Sequence, residues 1–216
     1  MDEFDPAREV GLMVDEWGTW HPPTPGRKPG HLWQQSTLRD ALVAAITLDT
    51  FNRHADKVAM ANVAQMINCI QSLFLAHEDK FVLTPTYHVF QMYAAHQGAK
   101  SARTVISAPP VNWTDGQQRP HTIWGLNGSA SVRDNKIVLT VTNPHLTEPR
   151  EAEIAVRGAA IKSGMAVTLA AHDVHDHNTF DAPRAVAPAI APVTVSAPLV
   201  YRFPAASVTR LELTTA

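Results

Sequence analysis

An apolar run, Gly11-Leu12-Met13-Val14, breaks directly into Asp15-Glu16-Trp17-Gly18-Thr19-Trp20-His21. That junction constrains the fold more than any other stretch of the chain. An unbroken apolar run is the pattern of a strand covered on both faces in a parallel sheet. Carboxylates are expensive to desolvate where such a strand emerges unless they are used. The carboxyl ends of parallel strands are also the usual catalytic positions of α/β enzymes. Glu16 is therefore the leading candidate for a working carboxylate, although on the residues alone a buried, salt-bridged structural acid is as good a reading.

The pattern downstream continues the α/β rhythm. A Pro/Gly-rich loop, Pro22 to Gly30, is too long for a simple connection and reads as functional. Leu38, Ala41, Leu42, Ala45, Leu48 and Phe51 recur at helical intervals, predicting a helix from about Ser36 to His54. Thr37 and Asp40 stand at capping-box spacing at its start. Lys57 to Val63 predicts a second short strand, and a helix from about Thr86 to His96 is stopped by Gly98. Two βα units cannot close a barrel or cover a sheet's faces and edges. Residues 1–100 are thus expected to be the last part of a larger domain.

From about Ala102 the signal changes to short Val-, Ile- and Thr-rich runs separated by turn residues. The clearest are Ile123 to Val132, Lys136 to Asn143, Glu151 to Val156, Ala166 to Ala171 and Ser207 to Leu213, with a tight hairpin at Asp134-Asn135. Ala182 to Pro198 is proline-rich and reads as an edge or loop. Residues 101–216 are expected to form an antiparallel β-sandwich of Greek-key or jelly-roll type.

Charge narrows the function classes. With a formal net charge of −2 and no Lys/Arg run longer than a pair, the chain carries no footprint for nucleic acid or an anionic membrane. No apolar segment approaches a membrane span. Met1 to Asp5 is acidic, so no secretory leader is expected. The single cysteine, Cys69, excludes an internal disulfide and fits a reducing compartment. Its apolar neighbours raise a thiol pKa, which argues against a nucleophile. A cytoplasmic location is the expectation.

Asp15-Glu16-Trp17-Gly18-Thr19-Trp20 resembles the Asp-Glu-Trp-(Asn/Gly)-x-Trp motif of the α-L-arabinofuranosidases of glycoside hydrolase family 51. Three further segments match that family in order: Leu38-Arg39-Asp40-Ala41-Leu42 continuing to Arg53-His54-Ala55-Asp56, then Ala61 to Asn68, then Leu83 to Phe90. His177-Asn178-Thr179-Phe180-Asp181-Ala182-Pro183 extends the match into the second half. The resemblance implies the C-terminal βα units of an incomplete (β/α)8 barrel followed by a jelly-roll β-sandwich. It implies Glu16 as the catalytic nucleophile of a retaining mechanism, with Trp20 and Gln65 contacting the sugar. The substrate class implied is terminal α-L-arabinofuranosyl groups on arabinan or arabinoxylan fragments. No cofactor or metal is implied.

Retaining glycosidases need two carboxyl groups about 5 Å apart, one attacking the anomeric carbon and one protonating the leaving oxygen. In the family the second is a Glu after the fourth barrel strand, and no segment here matches it. Asp15 is expected to face away from Glu16, and Glu78-Asp79-Lys80 reads as a solvated turn. The chain alone is therefore expected to be inactive, wanting an N-terminal barrel half or assembling with other copies. A relative acting on β-glucan or xylan, and a non-catalytic subunit that completes a barrel in trans, are the alternative readings. Trp17 reads as core, and His21 as either bordering the subsite or idle. His172-Asp173-Val174-His175-Asp176-His177 carries metal-binding residue types, but its spacing matches no standard zinc pattern.

Overall fold

The computed structural model describes residues 3–22, 25–26, 28, 30 and 32–216. The Pro22–Gly30 loop and the acidic Met1–Asp5 start therefore lie partly outside the described residues. Among the described residues, no helix is long and apolar enough to cross a membrane.

The chain opens with β1 (Leu12–Trp17), α1 (Leu38–Arg53) and β2 (Val58–Val63), and β1 and β2 pair in parallel as a two-stranded sheet. A hairpin of β3 (Phe74–His77) and β4 (Lys80–Leu83) turns at Glu78-Asp79, and α2 (Pro85–Tyr93) comes next, continued by a 3-10 turn at Ala94–His96. Thr84 caps α2, its hydroxyl accepting the Tyr87 N–H, with Pro85 in the first turn, where a missing N–H costs nothing. Gly98 ends this segment with a left-handed φ of 70°.

The rest is antiparallel. Its strands are β5 (Lys100–Ala102), β6 (Val111–Thr114), β7 (Pro120–Ile123), β8 (Asn127–Arg133), β9 (Lys136–Asn143), β10 (Arg150–Ile154), β11 (Ile161–Leu169), β12 (Ala189–Pro192), β13 (Leu199–Phe203) and β14 (Ser207–Thr215). Six of them form one sheet in the order β12-β11-β14-β9-β8-β5, and β10 pairs with β13. The result is a β-sandwich, as the alternation of the second half predicts. The hairpin at Asp134-Asn135 joins β8 to β9, with Asp134 at a φ of 56°. The proline-rich segment supplies β12 at the sheet's edge, where a missing N–H does least harm. The predicted strand from Ile123 to Val132 is broken, because β7 and β8 belong to different sheets. Gly125 makes the switch: a Cβ there would lie 1.8 Å from the Pro109 carbonyl oxygen.

Both faces of the six-stranded sheet are covered. On one, Leu211 and Leu213 of β14 and Val141 of β9 pack with Leu199 and Phe203 of β13. On the other, Val208 of β14 and Val167 and Leu169 of β11 pack with Leu38, Ala41 and Ala45 of α1 and Val89 and Met92 of α2. Strand alternation sorts β14 in this way, odd positions to the sandwich and even ones to the helices.

The helix-facing side is partly polar. Asp49 of α1 is fully buried, and its Oδ1 accepts from Ser129 Oγ (2.7 Å) and Thr140 Oγ1 (2.6 Å). His96 completes the cluster, its Nδ1 2.7 Å from Ser131 Oγ and its Nε2 3.2 Å from Thr140 Oγ1. Burial pushes the Asp49 carboxyl up to about 7 against the pull of these donors and of Arg53. Burial, with the charge of Arg210, pushes His96 down to about 4. The two oppose each other in the pH dependence of stability. The raised Asp49 favours the fold at acid pH, a contribution lost as pH rises through about 7. The depressed His96 favours the fold above its unfolded value of 6.5, a contribution lost as pH falls towards about 4. Asp49→Asn should therefore expose the His96 slope, with stability to urea rising by up to about 3 kcal/mol from pH 4 to 6.5. His96→Gln should expose the opposite slope. Urea unfolding at several pH values measures both, and two variants that track the parent would show that the cluster does not titrate.

Candidate active site

The apolar start of β1 is not buried within this chain. Leu12 and Met13 are 44% and 51% exposed, and Met60 of β2 is 43% exposed. Among the described residues, β1 has β2 as its single sheet neighbour. An apolar run predicts coverage on both faces, which the described residues do not supply.

The parallel register sets Val14 opposite Ala61 and Trp17 opposite Val63. Three steps along β1 thus match two along β2, which puts a bulge at Asp15-Glu16. Bulges re-aim side chains where a strand meets a site. The carboxyl ends of both strands open on one side, with Glu16 one residue before the end of β1 and Gln65 two residues past β2. Glu16, Trp20 and Gln65 are all exposed there, and no side-chain hydrogen bond joins any of them to another described residue. Trp17 instead packs inward, as expected of a core aromatic. It stacks on Phe90 at 5.8 Å and meets Phe51 edge-on at 5.7 Å.

The segment after β1 is held firmly. Asp40, at the third position of α1, is fully buried. Its Oδ2 accepts from the Thr37 N–H (2.8 Å), the reciprocal half of the capping box that the sequence spacing predicts. Its Oδ1 accepts from Thr19 Oγ1 (2.8 Å) and lies 3.2 Å from His21 Nε2. Gln34 Nε2 donates to the Thr19 carbonyl (3.1 Å), while Gln34 Oε1 accepts the His21 N–H (3.0 Å). Gln71 closes the network, donating to the Asp40 carbonyl (2.9 Å) and accepting the Thr19 N–H. Gln71 is buried in a left-handed conformation, φ 47°, which costs a non-glycine residue free energy that only its contacts offset. A Cβ at Gly18 would come within 3.0 Å of Gln71 Oε1, so the glycine in the motif makes room for that contact. Thr19 and His21 are thus pinned on either side of the exposed Trp20, close after Glu16. His21 is held by a buried carboxylate.

The histidine-rich loop also acts on this region. The Asp176 and Val174 carbonyls accept the Leu38 and Arg39 N–H groups at 3.0 and 2.8 Å, satisfying orphan donors at the start of α1. Its side chains are tied locally: His175 Nδ1 lies 2.8 Å from Asp173, and His177 Nδ1 lies 2.9 Å from the His175 carbonyl. Among the described residues, no group of three or more His, Cys, Asp or Glu side chains is placed to hold a metal ion. Sequence reasoning missed Gln34 and Gln71 and saw Asp40 only as a cap. Asp40 had a local signal in its spacing from Thr37; the two glutamines had none.

Comparison with known proteins decides the family. The family described as "Alpha-L-arabinofuranosidase C-terminal domain" matches residues 15–207. The chain belongs to that family. It is similar to an intracellular exo-alpha-L-arabinofuranosidase of Bacteroides ovatus, 36% identical over 99% of this chain and 41% of that protein. It is also similar to the crystal structure of the family 51 arabinofuranosidase from Xanthomonas axonopodis pv. citri. That match has a TM-score of 0.89 at 37% identity, covering 99% of this chain and 43% of the other. An arabinose complex of the Thermotoga maritima alpha-L-arabinofuranosidase shares the fold at a TM-score of 0.84 and 24% identity, over 98% of this chain and 45% of that one. The chain thus spans about two fifths of the length of the relatives it matches.

Proposed function

We propose that this chain is the C-terminal part of a retaining, cytoplasmic α-L-arabinofuranosidase that removes terminal arabinofuranosyl groups from arabinan- or arabinoxylan-type oligosaccharides. Residues 1–100 supply the last two βα units of a (β/α)8 barrel, and residues 101–216 the jelly-roll domain. The observation that carries the reading is the placement of Glu16 at the bulged carboxyl end of β1, beside the β2 end that leads to Gln65. The exposed apolar residues of β1 and β2 support it, since the other barrel strands and helices would cover them.

Glu16 attacks the anomeric carbon and forms a covalent glycosyl-enzyme intermediate. Trp20 presents an apolar ring face to the C–H surface of the sugar, and Gln65 hydrogen-bonds its hydroxyls. Protonation of the leaving oxygen, and activation of the water that releases the sugar, fall to a carboxyl group on an N-terminal barrel segment. No metal or cofactor enters this chemistry. The purified chain should therefore give no turnover of 4-nitrophenyl α-L-arabinofuranoside above buffer. Supplying an N-terminal barrel segment, in cis or as a separate chain, should restore it. Turnover by the chain alone at about 1 s⁻¹ or faster, the ordinary enzymatic range, would overturn the reading. Restored action on xylan or β-glucan without arabinofuranoside cleavage would overturn the substrate class.

A further inference from the structure

A groove of about 620 Å³ lies away from Glu16, between the β3–β4 hairpin, α2, the proline-rich segment and the six-stranded sheet. That volume is in the range of small-molecule sites. Its walls are apolar, with Phe81 and Ile190 56% and 70% exposed and Met92 buried beneath. Arg184, Arg210 and His88 line the groove, and among the described residues no Asp or Glu does, although Glu212 pairs with Arg210 from outside the lining.

Among the described residues, two of these groups carry nitrogens without partners. Arg210 Nη1 donates to the Met92 carbonyl (3.3 Å) and Nη2 pairs with Glu212 (2.7 Å), but the buried Nε has no acceptor. His88 is only 8% exposed, and its buried Nδ1 has no partner either. Burial holds the His88 pKa below its usual value against the pull of a Gln91 side-chain hydrogen bond, and the charge of Arg184, which lines the same groove, pushes the same way as burial. Buried polar groups are normally paired. Apolar walls beside the Arg184 guanidinium and the His88 ring complement a ligand with an apolar body and one negative charge.

We propose that this groove binds a small organic monocarboxylate. The carboxylate sits between Arg184 and His88, and an aromatic or branched apolar body lies against Phe81, Met92 and Ile190. The site is separate from the glycosidase reading and does not depend on it.

The test uses the whole chain and 3-phenylpropanoate, followed through the imidazole signals in an NMR titration. Saturable binding is expected, with the His88 pKa rising on binding because an anion stabilises the imidazolium form. The His121 signal, outside the groove, should stay fixed. Acetate and 3-phenylpropan-1-ol, which have the charge without the body and the body without the charge, should each bind at least about tenfold more weakly. Arg184 is exposed, so Arg184→Gln should leave the fold intact, verified by an unchanged amide spectrum, and weaken binding by about tenfold or more. An unmoved His88 signal, equal binding of the alcohol, or full affinity in Arg184→Gln would each overturn the proposal.

Discussion

In an enzyme that joins this chain to an N-terminal barrel segment, Glu16→Ala is expected to lower kcat for 4-nitrophenyl α-L-arabinofuranoside on the order of 10⁴-fold or more. The loss is large because the attacking carboxylate forms a bond that no neighbouring group can form in its place. The alanine leaves a space beside the anomeric carbon, and added azide should partly restore turnover from the same face. The product would be the β-arabinofuranosyl azide, inverted relative to the substrate, because one displacement replaces two. Asp15→Ala is the control. It removes the adjacent acid on the bulged strand and should cost far less. Substantial turnover by Glu16→Ala, or azide rescue of Asp15→Ala instead, would remove the nucleophile role from Glu16.

Asp40→Ala should destabilise the chain by about 3–5 kcal/mol, the range for removing one partner from a buried charged network. The magnitude reflects the number of groups stranded: the Thr37 N–H, the Thr19 hydroxyl, the His21 ring and the Gln34 amide all converge on one fully buried carboxylate. Asp40→Asn keeps an acceptor oxygen and should cost less. Urea unfolding measures both. Amide hydrogen exchange locates the effect, which should fall at Thr19 and His21 and spare the middle of α1. A cost for Asp40→Ala below about 1 kcal/mol, the net worth of a single ordinary hydrogen bond, would show that the network does not hold this segment.

How much of this was legible in the sequence depends on the range over which each feature is encoded. β9 spans Lys136–Asn143, as its alternation and flanking turn predict, and α1 at Leu38–Arg53 falls inside the predicted 36–54. In both cases a local period or a local breaker carries the information. The proline-rich segment as an edge and Glu78-Asp79 as a turn were legible for the same reason, since missing N–H groups and short polar runs act on their own backbone. Glu16 could be singled out because a carboxylate after an apolar run is anomalous within its immediate neighbourhood.

Other features depend on residues far apart in the chain. Gln71 meets Thr19 across 52 positions and Asp40 across 31, and Thr140 meets Asp49 across 91. No local pattern marks such partners. Their side chains are ordinary until packing brings them together, and Gln71 adopts its left-handed backbone only because that packing holds it. The bulge at Asp15-Glu16 arises from the register between two strands, which neither strand's sequence states. The histidine-rich loop illustrates the limit from the other side. Its residue types drew attention at a spacing that matches no standard zinc pattern, and nothing in them announces that two of its backbone carbonyls satisfy the start of α1. By itself, then, the sequence determined the periodic elements and singled out the unusual acid, because these rest on interactions within a few residues. Tertiary structure alone decided what holds the segment after Glu16, where the buried Asp49–His96 cluster forms and how the cationic groove is lined. Those features come from buried polar groups that must find partners wherever the fold supplies them.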